Sequence, residues 1–101
     1  MAPSLPYDSW LIGQLEDPSE AAAYLEAAIE DGNAAVLMLA LRQVAQAQGG
    51  VARIARKAKL TREATYRMLS KSGNPELRSL RALLKATGLR LAVKPIEKRA
   101  A

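Results

Sequence analysis

The sequence predicts an all-α protein, a five-helix bundle followed by one short β-strand near the carboxyl end. Apolar residues recur with helical spacing from residue 18 onward, capping signals separate the helical stretches, and apolar–polar alternation is confined to residues 89–94. A chain of 101 residues can bury one modest core. We therefore expect a single domain over residues 18–95.

The first 17 residues show neither a helical nor a strand period. Pro3, Pro6 and Gly13 interrupt any regular pattern there. We expect residues 1–17 to form an amino-terminal arm.

Two helices are predicted next, at about residues 18–30 and 34–48. Asp17 can cap the first and Pro18 suits its first position, while Gly32 and Asn33 supply a stop and a new cap. The second helix is apolar nearly all round, which indicates burial on several sides.

Three shorter helices follow, at about residues 51–58, 62–72 and 75–87. Gly49-Gly50 precedes the first, Thr61 can cap the second, and Asn74-Pro75 can start the third. Gly73 and Gly88 close the last two.

The alternation of Leu89, Leu91 and Val93 predicts a strand over residues 89–94, ended by Pro95. A lone strand needs a partner, so we expect it to pair with the same strand of a second copy in a homodimer. The charged tail, residues 96–101, is expected to be disordered.

The two halves of the chain differ in charge. Residues 1–48 carry one basic and seven acidic side chains, whereas residues 49–101 carry fourteen basic and three acidic ones. A basic half indicates a polyanionic partner, with nucleic acid the leading candidate, although a merely solvated basic face is the alternative.

The chemistry of the side chains argues against catalysis. The absence of Cys and His removes thiol nucleophiles, imidazole bases and nearly every soft-metal site, so we expect no metal and no cofactor. The carboxylates Glu16, Asp17 and Glu20 are better explained by helix capping than by acid–base work.

The longest apolar run, Ala34–Leu41, is far short of the roughly 20 residues that span a bilayer. The amino terminus lacks the pattern of a secretory signal. These features predict a cytoplasmic, nucleoid-associated protein with neither a membrane nor a small-molecule partner.

Residues 50–71 have the layout of a helix-turn-helix. The motif requires a small residue midway along its first helix, an apolar residue after the turn and a cap on its second helix. Ala55, Leu60 and Thr61 occupy these positions.

In that geometry the second helix enters the major groove of double-stranded operator DNA by its amino-terminal end. Arg62, Glu63 and Tyr66 are then placed to reach base edges, with Arg62 the leading reader because arginine binds guanine through two hydrogen bonds. The candidates for contact with the DNA backbone are Thr61, Arg67, Ser70, Lys71 and Asn74.

The chain also resembles the addiction-module antidote family, the HigA-like antitoxins related to Xre-type repressors with a lambda-repressor-like fold. The resemblance covers about residues 7–95 and rests on four segments. These are residues 23–28 with Asp31-Gly32, residues 60–70, Gly73-Asn74-Pro75, and residues 85–91.

This resemblance implies an antitoxin that neutralises a RelE/HigB-like, mRNA-cleaving toxin and represses their shared operon. The acidic Glu26 and Glu30 are candidate toxin contacts, since they would complement a basic toxin. The sequence departs from the family at Lys59, where a turn glycine is usual, and at Thr65, where leucine is usual.

Two further functions compete with this interpretation. A stand-alone helix-turn-helix regulator would share every DNA-facing residue but lack a toxin partner. A helical protein-interaction module would use the basic half to bind an acidic protein and would have no affinity for duplex DNA.

Overall fold

A computed structural model describes residues 6–97, with side-chain surroundings from residue 7 onward. Within that range the chain forms six α-helices and no strand. They are α1 (Pro6–Gln14), α2 (Pro18–Asp31), α3 (Ala34–Ala47), α4 (Val51–Lys57), α5 (Arg62–Met68) and α6 (Leu77–Ala86). The predicted five-helix bundle with a carboxyl-terminal strand is therefore wrong.

Helix α1 lies where an arm without regular structure was predicted. Leu11 of α1 and Leu15, which directly follows the helix, are four residues apart and lie on the same side, and both are buried in the core. Tyr7 and Trp10 remain exposed on the same helix. Residues 1–5 of the predicted arm lie outside the described residues.

Local capping chemistry fixes the ends of α2 and the start of α3. The Asp17 carboxylate accepts from the Ser19 amide at 2.8 Å, and the Asn33 side chain accepts from the Ala35 amide at 2.9 Å. Gly32 ends α2 with φ 78°, a conformation in which glycine has no Cβ penalty.

Helix α3 is the centre of the molecule. Its buried side chains include Met38, Leu41 and Val44, and it packs against α1, α2 and α4. Ile54 of α4 and Leu83 of α6 complete the core beside them, each about 1 % exposed. The shared core thus joins the acidic first half of the chain to the basic second half.

Residues 89–94 form no strand in the described structure. The Leu89 amide donates to the Leu84 carbonyl at 2.8 Å, which closes α6, and the chain then runs without further backbone hydrogen bonds between described residues. Leu91 and Val93 are exposed. Alternation alone misled the prediction, because a strand needs a neighbouring strand to pair with and the described chain offers none.

Two helices are shorter than predicted. Helix α5 ends at Met68 instead of residue 72, and α6 begins at Leu77 instead of residue 75. Gly73 turns back so closely that a Cβ there would lie 1.9 Å from the Met68 carbonyl oxygen. The connection between the helices is therefore an ordered turn.

The predicted tail extends into residues 98–101, which lie outside the described residues.

Candidate nucleic-acid interface

Helices α4 and α5 form a unit of two seven-residue helices joined by a short turn. Ile54 and Ala55 of α4 are buried, as are Thr65 and Met68 of α5. The small Ala55 side chain, about 1 % exposed, allows the two helices to approach closely. The opposite sides of both helices face solvent.

The turn between the helices is a Schellman motif. The Leu60 amide donates to the Ala55 carbonyl at 2.9 Å, and the Lys59 amide donates to the Arg56 carbonyl at 3.1 Å. Lys59 sits at the left-handed position with φ 60°.

The same bonding pattern ends α3 and α6, where glycine occupies the corresponding position. These residues are Gly49, with φ 109°, and Gly88, with φ 86°. Lys59 therefore carries a backbone strain that the other two turns avoid, and it does so where the family resemblance implied glycine.

Two threonines organise the start of α5. The Thr61 hydroxyl accepts from the Ala64 amide at 3.0 Å, which caps the helix. Thr65 is fully buried, and its hydroxyl donates to the Thr61 carbonyl at 2.8 Å. Thr65 thus occupies the position of the usual leucine without leaving its buried hydroxyl unsatisfied.

The three predicted base readers meet at the exposed start of α5. Arg62, Glu63 and Tyr66 line one shallow depression together with Thr61. The guanidinium carbon of Arg62 lies 5.7 Å from the centroid of the Tyr66 ring, and Tyr66 is 47 % exposed. An arginine stacked on tyrosine keeps its donor edge free for bidentate hydrogen bonds.

The predicted backbone contacts divide between the helix and the following turn. Arg67 lies on α5, whereas Ser70, Lys71 and Asn74 lie in the turn because α5 ends early. The Ser70 hydroxyl donates to the Arg67 carbonyl at 2.8 Å. Thr61 is committed to its cap.

A polar cleft of about 400 Å³ lies between α5 and the start of α6. Arg67, Ser70, Asn74 and Ser79 all line it. Lys71 is exposed beside this region but is not among the lining residues. The cleft thus brings together three of the predicted backbone contacts.

Further cations lie on α4 and its turn. The exposed basic side chains there are Arg53, Arg56, Lys57 and Lys59. Gly50, the residue before α4, provides no side-chain cap, so the first amides of α4 have no side-chain acceptor among the described residues. The α4–α5 unit therefore presents a basic surface suited to a polyanion.

The acidic candidates lie on α2, and one of them is already paired. The Lys94 ammonium contacts the Glu26 carboxylate at 2.6 Å, and both side chains are mostly exposed. The hydrogen bond to Glu26 and its charge raise the pKa of Lys94 above its ordinary value of 10.5. Glu30 is exposed one turn further along α2.

The proposed dimer residues have different surroundings. Leu89 packs against the core, Leu91 is 42 % exposed and Val93 is 97 % exposed. Leu89 and Leu91, with Leu25 and Leu84, line an apolar groove of about 470 Å³ between α2, α3, α6 and the segment after α6, and Val93 lies outside that lining.

Sequence reasoning missed the side chain that reaches α5 from the acidic half. Arg42 of α3 donates a hydrogen bond to the Leu69 carbonyl at the end of α5. It is the one basic residue among residues 1–48, and that isolation in an acidic stretch was the available signal. The pairing of Lys94 with Glu26, 68 residues apart, had no local signal.

These features define an all-helical protein with an exposed basic unit of two helices. The chain belongs to the family described as probable addiction module antidote protein, whose model matches residues 9–95. An antidote family implies an antitoxin role and a toxin partner.

One curated relative is an uncharacterized protein of Haemophilus influenzae, 32 % identical over 79 residues, covering 78 % of this chain and 80 % of the relative. No solved structure matches the chain significantly. Among the described residues, no helix is both long and apolar enough to cross a membrane.

Proposed function

We propose that the protein is the antitoxin of a type II toxin–antitoxin system and represses its own operon by binding operator DNA. The observation that carries the DNA-binding part is the exposed pair of Arg62 and Tyr66 at the start of α5, in a unit with the layout of a helix-turn-helix. Antidote family membership supports the antitoxin part.

In the proposed complex the amino-terminal end of α5 enters the major groove. Arg62 binds guanine through two hydrogen bonds, and Glu63 accepts from cytosine. Tyr66 supports the Arg62 guanidinium and contacts a thymine methyl or a phosphate. The discrimination therefore resides in the first turn of α5.

Contacts to the DNA backbone orient this helix. Arg67 and Lys71 supply charge, Ser70 and Asn74 supply polar groups around the cleft, and Thr61 holds the first turn through its cap. Such contacts give affinity that falls with salt but carry no sequence information.

We propose that the repressor binds as a homodimer, because helix-turn-helix proteins commonly read two half-sites related by a two-fold axis. The described structure contains no strand to pair. Exposed apolar side chains after α6, Leu91, Val93 and Ile96, are the candidates for the contact between copies. Leu89, the other residue of the predicted strand, is partly buried against the core of its own chain and so offers less free surface for such a contact.

The proposed toxin is RelE/HigB-like, an mRNA-cleaving protein with a basic surface. The acidic first half of this chain complements such a partner. Glu30 is the cleaner test residue, since Glu26 is engaged by Lys94. Glu30→Lys should weaken toxin binding by charge reversal, and unchanged affinity would argue against this surface.

This proposal makes the protein a binder and not an enzyme, acting in the cytoplasm at the operator on the nucleoid. A stand-alone regulator would share the DNA contacts, whereas a protein-interaction module would use the basic surface to bind an acidic protein instead of DNA. Co-expression of this protein with the product of the neighbouring gene distinguishes an antitoxin from a stand-alone regulator. Rescue of growth supports an antitoxin, and no rescue supports the stand-alone regulator.

The DNA-binding part is tested by footprinting the full-length protein on the DNA upstream of its own gene. We expect protection of two half-sites separated by about one helical turn, roughly 34–36 Å. Equal affinity for scrambled duplex would favour the protein-interaction module.

A further inference from the structure

The carboxyl-terminal end of α5 is held from a distant part of the chain. The Arg42 guanidinium donates to the carbonyl of Leu69, the residue that caps α5, across 27 residues of sequence. Arg42 is half-buried and Leu69 is fully buried. The contact therefore lies inside the structure, unlike that of a freely solvated surface arginine.

The chemistry of a helix end explains why this contact matters. The last carbonyls of a helix lack partners within it and carry the negative end of its dipole. A guanidinium satisfies such a carbonyl with a charge-assisted hydrogen bond, which is stronger than a neutral one. Arg42 thus stabilises the end of α5 with a full positive charge.

The short length of α5 makes its two ends depend on each other. Seven residues span about 10 Å, so a tilt of roughly 10° about one end would displace the other by about 2 Å. A hydrogen bond tolerates only a few tenths of an ångström. Base readers at Arg62 and Tyr66 therefore need both ends of α5 to be fixed.

The start of α5 is fixed by the Schellman turn at Lys59 and by the Thr61 cap. The end is held by Arg42, which belongs to the central helix α3. The next residue along α3, Gln43, accepts from the Tyr24 hydroxyl of α2 at 2.6 Å. Adjacent side chains of α3 therefore tether α2 on one side and α5 on the other.

We propose that Arg42 is a positioning residue for DNA recognition, which sets the angle of α5 by holding the Leu69 carbonyl. This inference rests on the proposed DNA-binding function. Arg42 itself touches no DNA in this arrangement, and its effect reaches the bases through α5. It should therefore affect specific binding far more than general affinity for duplex DNA.

The test compares full-length wild type with Arg42→Leu, Arg42→Gln and Arg42→Lys. Arg90→Leu is the control, because it also removes one positive charge, but from an exposed side chain that lies beyond α6. Two quantities are measured: amide hydrogen exchange at Leu69 in the free protein, and the affinity ratio between the upstream duplex and a scrambled one.

In Arg42→Leu we expect exchange at Leu69 to rise about tenfold and the affinity ratio to fall about tenfold, the size of one charge-assisted hydrogen bond. Arg42→Lys should recover most of the exchange protection at Leu69 and most of the affinity ratio. Arg90→Leu should weaken binding to both duplexes equally and leave the ratio unchanged. If Arg42→Leu does not fold, Arg42→Gln should show the same losses in part.

A folded Arg42→Leu that keeps the wild-type affinity ratio would overturn the inference, as would an unchanged ratio in Arg42→Gln where Arg42→Leu fails to fold. A wild type without preference for the upstream duplex is a different result, because it removes the proposed function. In that case faster amide exchange at Leu69 in Arg42→Leu than in wild type would still show that Arg42 stabilises the end of α5.

Discussion

The guanidinium of Arg62 lies over the ring of Tyr66, 5.7 Å from the guanidinium carbon to the ring centroid and one helical turn away on α5. This stacking orders a side chain that would otherwise sample many rotamers in solvent. Because contact with the ring restricts the rotamers of Arg62 in the free protein, we expect less conformational entropy to be lost on binding.

Tyr66→Phe should therefore bind operator DNA nearly as well as wild type, because the ring that supports Arg62 remains. Tyr66→Leu should bind about two- to fivefold more weakly, the worth of an exposed cation–π contact of roughly 0.5–1 kcal/mol. Fluorescence anisotropy on the upstream duplex measures both. Equal loss in the two variants would show that the hydroxyl, and not the ring, matters.

Lys59→Gly should stabilise the protein by about 0.5–1 kcal/mol, since glycine relieves the left-handed strain but also loosens the unfolded chain. The matched reverse change is Gly88→Ala, whose added Cβ meets nothing within 4 Å and so reports the backbone strain alone. It should destabilise by a similar amount. Urea unfolding compares the two, and a destabilised Lys59→Gly would contradict the assignment of strain.

Thr61→Ala should reduce the free energy of unfolding by about 1 kcal/mol through loss of the α5 cap. Asn33→Ala removes the corresponding cap of α3 and should cost about the same. Only the first should also weaken operator binding, because only α5 carries the proposed readers. A parallel loss of DNA affinity in Asn33→Ala would trace both effects to general destabilisation.

The ion pair of Lys94 and Glu26 gives a pH-dependent prediction. The pKa of Lys94 is raised in the folded state by its hydrogen bond to Glu26, so this contribution to stability is present below pH 10.5 and lost as pH rises through the folded pKa. NMR titration should show the Lys94 pKa falling back towards 10.5 in Glu26→Gln. No difference between the proteins would mean that the pair does not persist in solution.

Features determined within a few residues could be predicted from the sequence. Asp17, Asn33 and Thr61 cap the helices that follow them, as predicted, because a capping side chain acts only on amides two or three positions ahead. The grouping of Arg62, Glu63 and Tyr66 also follows from helical spacing alone.

Features determined across the chain could not be predicted in this way. Helix α5 stops at Met68 because Gly73 turns back onto it and Arg42 binds the next carbonyl, and neither contact has a local pattern. The supposed strand failed for a related reason, since alternation cannot reveal whether a pairing partner exists. Helix α1 was missed although the spacing of Leu11 and Leu15 marks its buried side.

In the proposed complex the first turn of α5 reads operator DNA. The most direct measurement is binding of wild type, Arg62→Ala and Arg90→Ala to the upstream duplex and to a scrambled duplex over a salt series. We expect Arg62→Ala to lose about 1–3 kcal/mol of discrimination, while Arg90→Ala loses only salt-dependent affinity on both duplexes. Equal affinity of wild type for the two duplexes, or full discrimination by Arg62→Ala, would contradict the claim.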